Sequence, residues 1–269
     1  VVRTSRGAYE TRFLVNAAGL YADEIAAMVG DSIGIEPGKG VLLVFEKAVT
    51  SNLVAPLYVK PDPKTKGGAV MLTVEGRGLW GPNLRMVRDK NDDAVDPEDV
   101  DAILSKFSPL VRGDPGVPLK AFAGLRPIPE GLDFVIRYAS TTKRVVHAAG
   151  TESPAFTAAP AIARRVLELL KGAGLELRPK EALAPRRPFQ RLRDEPERGR
   201  GRVVCHCCLV TEEEIREAVR RGSRTLRGVM RRTGACMGLC QGSRCMAEVL
   251  EIMAGEMGVD VSEITLKGG

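Results

Sequence analysis

The chain has 269 residues, 44% of them hydrophobic, with 29 Gly and 17 Pro, a composition that fits packed, loop-rich domains and excludes a disordered chain. No run approaches about 18 uninterrupted apolar residues, so no membrane-spanning helix is expected, and no charged-then-apolar start marks an export signal. Net charge is +6, from 40 Lys+Arg against 34 Asp+Glu. The densest basic run, residues 178–202, interleaves acids and prolines, as an exposed linker does, so no nucleic-acid role is expected.

Val1 leads straight into the strand-like TRFLVNAAG, so the chain is expected to begin inside a domain. FLVNAAG ends in small residues. LYADEIAAMVG follows with Leu20, Ile25, Ala26 and Val29 at helical spacing, so the pair predicts strand, tight turn and helix. KGVLLVFEKAV and AVMLTVEGRGLWGP read as strands. PEDVDAILSKFSPLV predicts an amphipathic helix with Val100, Ile103, Leu104 and Phe107 on one face. LDFVIRYAS and RVVHAAG are two more strands. APAIARRVLELLKGAG is a helix with Ile162, Val166, Leu169 and Leu170 inward, stopped at Gly172 or Gly174. Such interspersed elements predict an α/β or α+β domain to about residue 176.

Residues 177–202 read as the linker, and 203–269 as a small module too short to build much core unaided. Thr211 and Glu214 form a capping box opening a helix through Arg221, with Ile215, Ala218 and Val219 inward. TLRGVMRRTG and CMAEVLEIMAGEMG give two further helices, the last using Met246, Val249, Leu250 and Met253.

All six cysteines fall in this module, between Cys205 and Cys245. Disulfides fit poorly, because nothing marks export and cytosolic thiols stay reduced. Cys205 and Cys207, two apart on a loop, with Cys240 and Cys245 as the best second pair, supply a four-thiolate set. Zinc accepts such a set. A [2Fe-2S] cluster gains more from the glycine-dotted MGLCQGSRC, whose backbone N–H groups can turn towards sulfur, and from the helix starts beside Cys207 and Cys245. The spacing favours iron–sulfur and leaves zinc open. Cys208 and Cys236 read as small apolar filler, with Cys236 able to replace Cys240 if the loop folds differently.

VVCHCCLVTEEEIREAV together with RTGACMGLCQGSRC resembles the bacterioferritin-associated-ferredoxin-type [2Fe-2S] domain. The resemblance implies a helical [2Fe-2S] domain and carries the ligand roles onto Cys205, Cys207, Cys240 and Cys245. Three further runs, FLVNAAGLYADEIAAMVG, AFAGLRPIPEGLDFVIR and VVHAAGTESPAFTAAPAIARRV, are similar to the glycine-oxidase/D-amino-acid-oxidase-like superfamily of FAD-dependent oxidoreductases. That resemblance implies FAD contacts at Ala17, Ala18, Gly19, Gly124, Leu125, Arg126, Gly150, Thr151, Glu152, Ser153, Pro154 and Thr157. It also implies a helix N-terminus facing the flavin pyrimidine, with Ala155-Phe156 where the family more often has Gly-Leu. Residues 1–36 are then the C-terminal part of an FAD-binding domain, and 37–130 a substrate domain with an antiparallel sheet. Residues 131–176 are the segment returning to the FAD-binding domain.

The combination most resembles the catalytic-subunit family of anaerobic glycerol-3-phosphate dehydrogenases. It implies oxidation of a small phosphorylated or carboxylated substrate and electron delivery to a partner subunit or membrane quinone. The implied place is cytoplasmic, with peripheral attachment to the inner membrane face as a variant. Arg126 and then Arg137 are the candidates for substrate contact. Lys39, between two glycines, either faces the ring or sits on a solvated turn, and His147 reads as a core histidine. The family's G-x-G-x-x-G fingerprint is absent from these residues, so a preceding segment or a separate chain is expected to supply it. Two rivals stand beside this reading: an amine or amino-acid dehydrogenase, and a non-catalytic iron–sulfur electron-transfer subunit.

Overall fold

A computed structural model describes residues 1–5, 7–49, 54–56, 67–73, 76–131, 133–178 and 201–267. Most of the expected linker lies outside these residues. The chain forms two compact units, Val1–Pro179 and Lys180–Gly269, so the division falls within the stretch expected to be a linker.

The first unit opens with a hairpin of β1 (Val2–Thr4) and β2 (Gly7–Tyr9). The predicted strand, turn and helix follow as β3 (Leu14–Asn16), a single 3-10 turn at Gly19–Tyr21 and α1 (Ala22–Met28). Then come β4 (Ile35–Phe45), β5 (Val54–Pro56), β6 (Ala69–Leu72), β7 (Gly78–Gly81), β8 (Arg85–Met86), α2 (Pro97–Phe107) and β9 (Pro118–Pro129). The unit closes with β10 (Val135–Ala139), β11 (Thr142–Ala149) and α3 (Ala155–Gly172).

Two sheets organise these elements. β4 is the spine of the larger one, pairing antiparallel with β7, β8 and β9, while β6 joins β7 and β5 joins β6. β9 was not foreseen as a strand, because PLKAFAGLRPIP carries three prolines and a glycine. Pro118 stands at its start and Pro127 and Pro129 near its end, where a lost N–H costs least. β9 runs beside β4 from Ile35↔Pro129 to Phe45↔Pro118. Helix α2 covers this sheet: Ile103 and Phe107 pack with Val41, Leu43, Phe45, Val70 and Trp80 into one buried cluster. Trp80 makes a tilted ring contact with Phe45 and an edge contact with Phe107, at centroid separations of 4.8 and 6.4 Å. Pro97 opens the helix, and Asp99 Oδ2 accepts the Asp96 N–H at 3.3 Å, closing its first turn.

The smaller sheet has order β10-β11-β3, with β11 parallel to β3 and antiparallel to β10. Parallel pairing needs a long crossover, and the whole larger sheet lies within it. Ala22 and Ala26 of α1 pack with Ile33, Ile35 and Ala149 to seal this part.

The second unit holds a two-stranded ladder, β12 (Val203–Cys205) with β13 (Val210–Thr211), absent from the all-helical expectation. It is followed by α4 (Glu212–Arg220), α5 (Leu226–Thr233) and α6 (Met246–Met257). Thr211 caps α4 as foreseen, its N–H donating to Glu214 Oε2 at 2.8 Å. Ile215, Ala218, Val219, Val229, Val249, Ile252 and Met253 form the core. Met246, expected inward, is exposed, and Ile252 takes the inward place instead.

Candidate functional site

In the first unit a cleft of about 470 Å³ opens between β9 and the start of α3. It is lined by Leu125, Arg126 and Pro127 on one side and residues 151–157 on the other. Of the residues expected to contact flavin, the cleft brings together Leu125, Arg126, Thr151, Glu152, Ser153, Pro154 and Thr157. The sequence reading missed Pro127, Ala155 and Phe156, which a sequence motif flags only as a departure. Phe156 is 95% exposed at the cleft mouth.

Gly150 does not line the cleft but makes it possible. Its φ is +61°, and a Cβ there would sit 2.6 Å from Pro129 Cβ. Only a glycine lets β11 turn into α3 this close to β9. Ala17, Ala18 and Gly19 form the β3–α1 turn, with Gly19 at φ +59°, and Gly124 is exposed on β9. None of the four lines the cleft. Arg126 is half-buried, stands opposite Gly38 of β4, and meets no carboxylate among the described residues. The first-turn N–H groups of α3 border the cleft and bring the positive end of an 18-residue helix with them.

Arg137, His147 and Lys39 are accounted for away from the cleft. Arg137 Nη1 donates to Asp31 Oδ2 at 2.6 Å and Nη2 to Ser32 O at 3.1 Å, so its guanidinium ties β10 to the turn after α1. It is not brought to the cleft. The Arg137 pair and the Ser140 donors hold the Asp31 carboxyl well below the usual carboxylate range. His147 is fully buried; Asn16 Nδ2 lies 3.0 Å from its Nδ1, and its Nε2 lies 3.2 Å from Asp31 but off the hydrogen-bonding line. Burial lowers its proton affinity, so it is the neutral core histidine expected. Lys39 is not on a solvated turn. It is a buried residue of β4 that donates to Asp92 at 3.0 Å and to Ala94 O at 2.9 Å.

In the second unit the thiols converge. Cys207 Sγ lies 3.5 Å from Cys240 Sγ, and Cys236 Sγ lies 3.6 Å from Cys245 Sγ. Cys245 also interacts with Cys205. Cys205, Cys236 and Cys245 are buried, whereas Cys207 is exposed. The Cys240 sulfur accepts the backbone N–H groups of Arg244 and Gly242 and the Ser243 hydroxyl, which pull its thiol down to about 7. Gly238 cradles the other member of that pair: a Cβ there would fall 2.2 Å from Cys207 Cβ. Gln241 Nε2 closes the loop by donating to Gly238 O at 2.7 Å.

This donor set fits a [2Fe-2S] cluster. The ligating atoms are soft thiols, N–H donors already face one sulfur, and two glycines clear space around the others. The close sulfur pairs are Cys207 with Cys240 and Cys236 with Cys245, so Cys236, read from the sequence as filler, stands among the thiols, while Cys205 meets Cys245.

Comparison with known proteins agrees with both sites. The family described as FAD dependent oxidoreductase matches residues 1–169, and the family described as BFD-like [2Fe-2S] binding domain matches residues 203–255. The chain is 34% identical to a glycerol 3-phosphate dehydrogenase of Caloramator mitchellensis, over 97% of this chain and 58% of that protein. It is 32% identical to a glycerol 3-phosphate oxidase of Mycoplasma genitalium, over 60% of this chain and 43% of that protein. A solved structure of dithionite-reduced L-alpha-glycerophosphate oxidase from Mycoplasma pneumoniae with FAD bound is 26% identical. It superposes with a TM-score of 0.55, covering 66% of this chain and 47% of that one. The chain thus spans about half the length of the relatives it matches.

Proposed function

The chain belongs to the FAD dependent oxidoreductase family and carries a BFD-like [2Fe-2S] binding domain. From that premise we propose that it oxidises sn-glycerol 3-phosphate to dihydroxyacetone phosphate and delivers the electrons to a partner subunit or a membrane quinone. When bound, the flavin accepts a hydride from the carbinol carbon and the iron–sulfur centre carries electrons away singly.

The observation that carries this reading is Arg126, half-buried in the cleft and meeting no carboxylate among the described residues. A guanidinium so placed forks onto a phosphate, in a cleft whose one lining carboxylate, Glu152, is buried. The α3 N-terminus adds positive potential for negative charge on the same wall. Thr157 Oγ1 donates to Pro154 O at 2.9 Å, so this hydroxyl shapes the loop. Leu125 supplies apolar wall beside Arg126, whereas Phe156 stands exposed at the mouth. Cys205, Cys207, Cys240 and Cys245 are the four iron ligands, and Cys207, on the exposed side, marks the edge open to an acceptor.

The test is turnover by anaerobically purified protein with an artificial acceptor, comparing glycerol 3-phosphate, glycerol, glycine, sarcosine and proline. Oxidation of glycerol 3-phosphate well above glycerol supports the reading. Oxidation of an amine or amino acid instead reassigns Arg126 to a carboxylate. Iron–sulfur absorbance with neither flavin bands nor turnover makes the chain an electron-transfer subunit alone.

A further inference from the structure

We infer that Cys236 is a reserve iron ligand, able to take the place of Cys245 at the [2Fe-2S] site; the inference rests on the cluster assignment above. Three observations carry it. First, the Cys236 and Cys245 sulfurs lie 3.6 Å apart, and both residues are at most 2% exposed. Two sulfurs bound at about 2.3 Å to one tetrahedral ion lie about 3.8 Å from each other. Cys236 Sγ therefore lies one ligand spacing from Cys245 Sγ, close enough to reach the same iron when Cys245 leaves it, and it interacts with Cys205 as well.

Second, Cys236 has φ +62°, in the left-handed region that disfavours any side chain. That backbone turns its sulfur inward to the other thiols, where ordinary apolar filler would sit without strain. Third, the loop leaves room for it. Gly242, at φ +90°, would with a Cβ come within 3.1 Å of Cys236 Cβ and 3.5 Å of its sulfur. One glycine thus clears space for Cys207 and another for Cys236. Cys208 also lies against Gly238, but it lacks the positive φ and packs half-buried against the module core.

The exchange is a ligand substitution without redox change. The Cys236 S–H bond breaks as its sulfur bonds iron, the iron–sulfur bond to Cys245 breaks, and the displaced Cys245 thiolate takes the proton. Where Cys245 is absent, the proton goes to solvent. Iron and sulfide counts stay fixed.

The experiment reconstitutes the full chain anaerobically with ferrous iron and sulfide. Iron per chain and the electron paramagnetic resonance spectrum of the reduced form are then measured for the parent, Cys245→Ala, Cys236→Gly and Cys236→Gly/Cys245→Ala. Glycine relieves the positive φ, so the second substitution removes the thiol without backbone strain, and circular dichroism confirms folding of each variant. The inference expects Cys245→Ala to keep iron within about twofold of the parent with a shifted spectrum, and the double variant to lose about tenfold or more. Equal loss in Cys245→Ala and the double variant overturns it, as does equal retention. A parent that takes up no iron sinks the cluster assignment itself, and this inference with it.

Discussion

Replacing Gly238 by alanine tests the geometry of the thiol site most directly. The added Cβ would lie 2.2 Å from Cys207 Cβ, 3.2 Å from Cys208 Sγ and 3.3 Å from Cys207 Sγ. Non-bonded carbons settle at about 3.5–4.0 Å, so the Cys207 segment has to move by about 1.3–1.8 Å. Overpacking of this kind costs typically about 1–3 kcal/mol. In a domain of about 60–100 residues each kcal/mol shifts Tm by about 4–8 °C. The same movement carries Cys207 away from Cys240, so iron uptake falls with stability. Gly255→Ala is the matched control: nothing lies within 4 Å of its added Cβ, and it sits inside α6. Alanine there gains roughly 0.5–1 kcal/mol of helix stability. Calorimetry and iron analysis on the full chain read both variants. A Gly238→Ala chain that melts with the parent and binds full iron refutes the placement of Cys207 against this loop.

Arg126→Ala removes a charged hydrogen-bonding partner worth about 1.5–3 kcal/mol, so kcat/KM for glycerol 3-phosphate should fall roughly 10- to 150-fold. Oxidation of glycerol, which has no phosphate to lose, should change far less; equal losses would place Arg126 outside substrate binding. In iron-free protein, alkylation of Cys240 by iodoacetamide should reach half its maximal rate near pH 7, because the donors facing its sulfur, the Cys207 thiol among them, favour the thiolate. A midpoint at the ordinary thiol value of about 8.5 would contradict those donors. Asp31 has a depressed folded-state pKa, so its contribution to stability is complete above its unfolded value of about 3.9 and drains as pH falls below it. Asp31→Asn should flatten the acid loss of stability below about pH 4 in denaturant titrations, and identical acid slopes would break the link to Arg137.

What the sequence disclosed was local. The Thr211–Glu214 box and the helical faces each sit within a few residues, and they held in the fold apart from Met246. The run AFAGLRPIP was legible as a site motif but not as a strand, because its prolines argue against a ladder until β4 shows which N–H groups are dispensable. Arg137 and Asp31 are 106 residues apart, and nothing along the chain reveals that pairing. The flanking glycines left Lys39 either facing the ring or on a solvated turn, and nothing local shows that Asp92 and Ala94, more than fifty residues on, make its burial tolerable. The left-handed backbone at Cys236 is likewise a property of the closed loop and not of the residue type.

The pairing of Asn16 with His147 spans 131 residues, a costly closure for an unfolded chain. The first and last positions of the β4–β9 ladder, Ile35 and Pro129, are direct cross-strand partners. Once that insertion has formed, its ends emerge side by side, about 5 Å apart. What is left to close is a pair of short tethers, so the middle of this unit acts as the clasp that lets its two ends find each other.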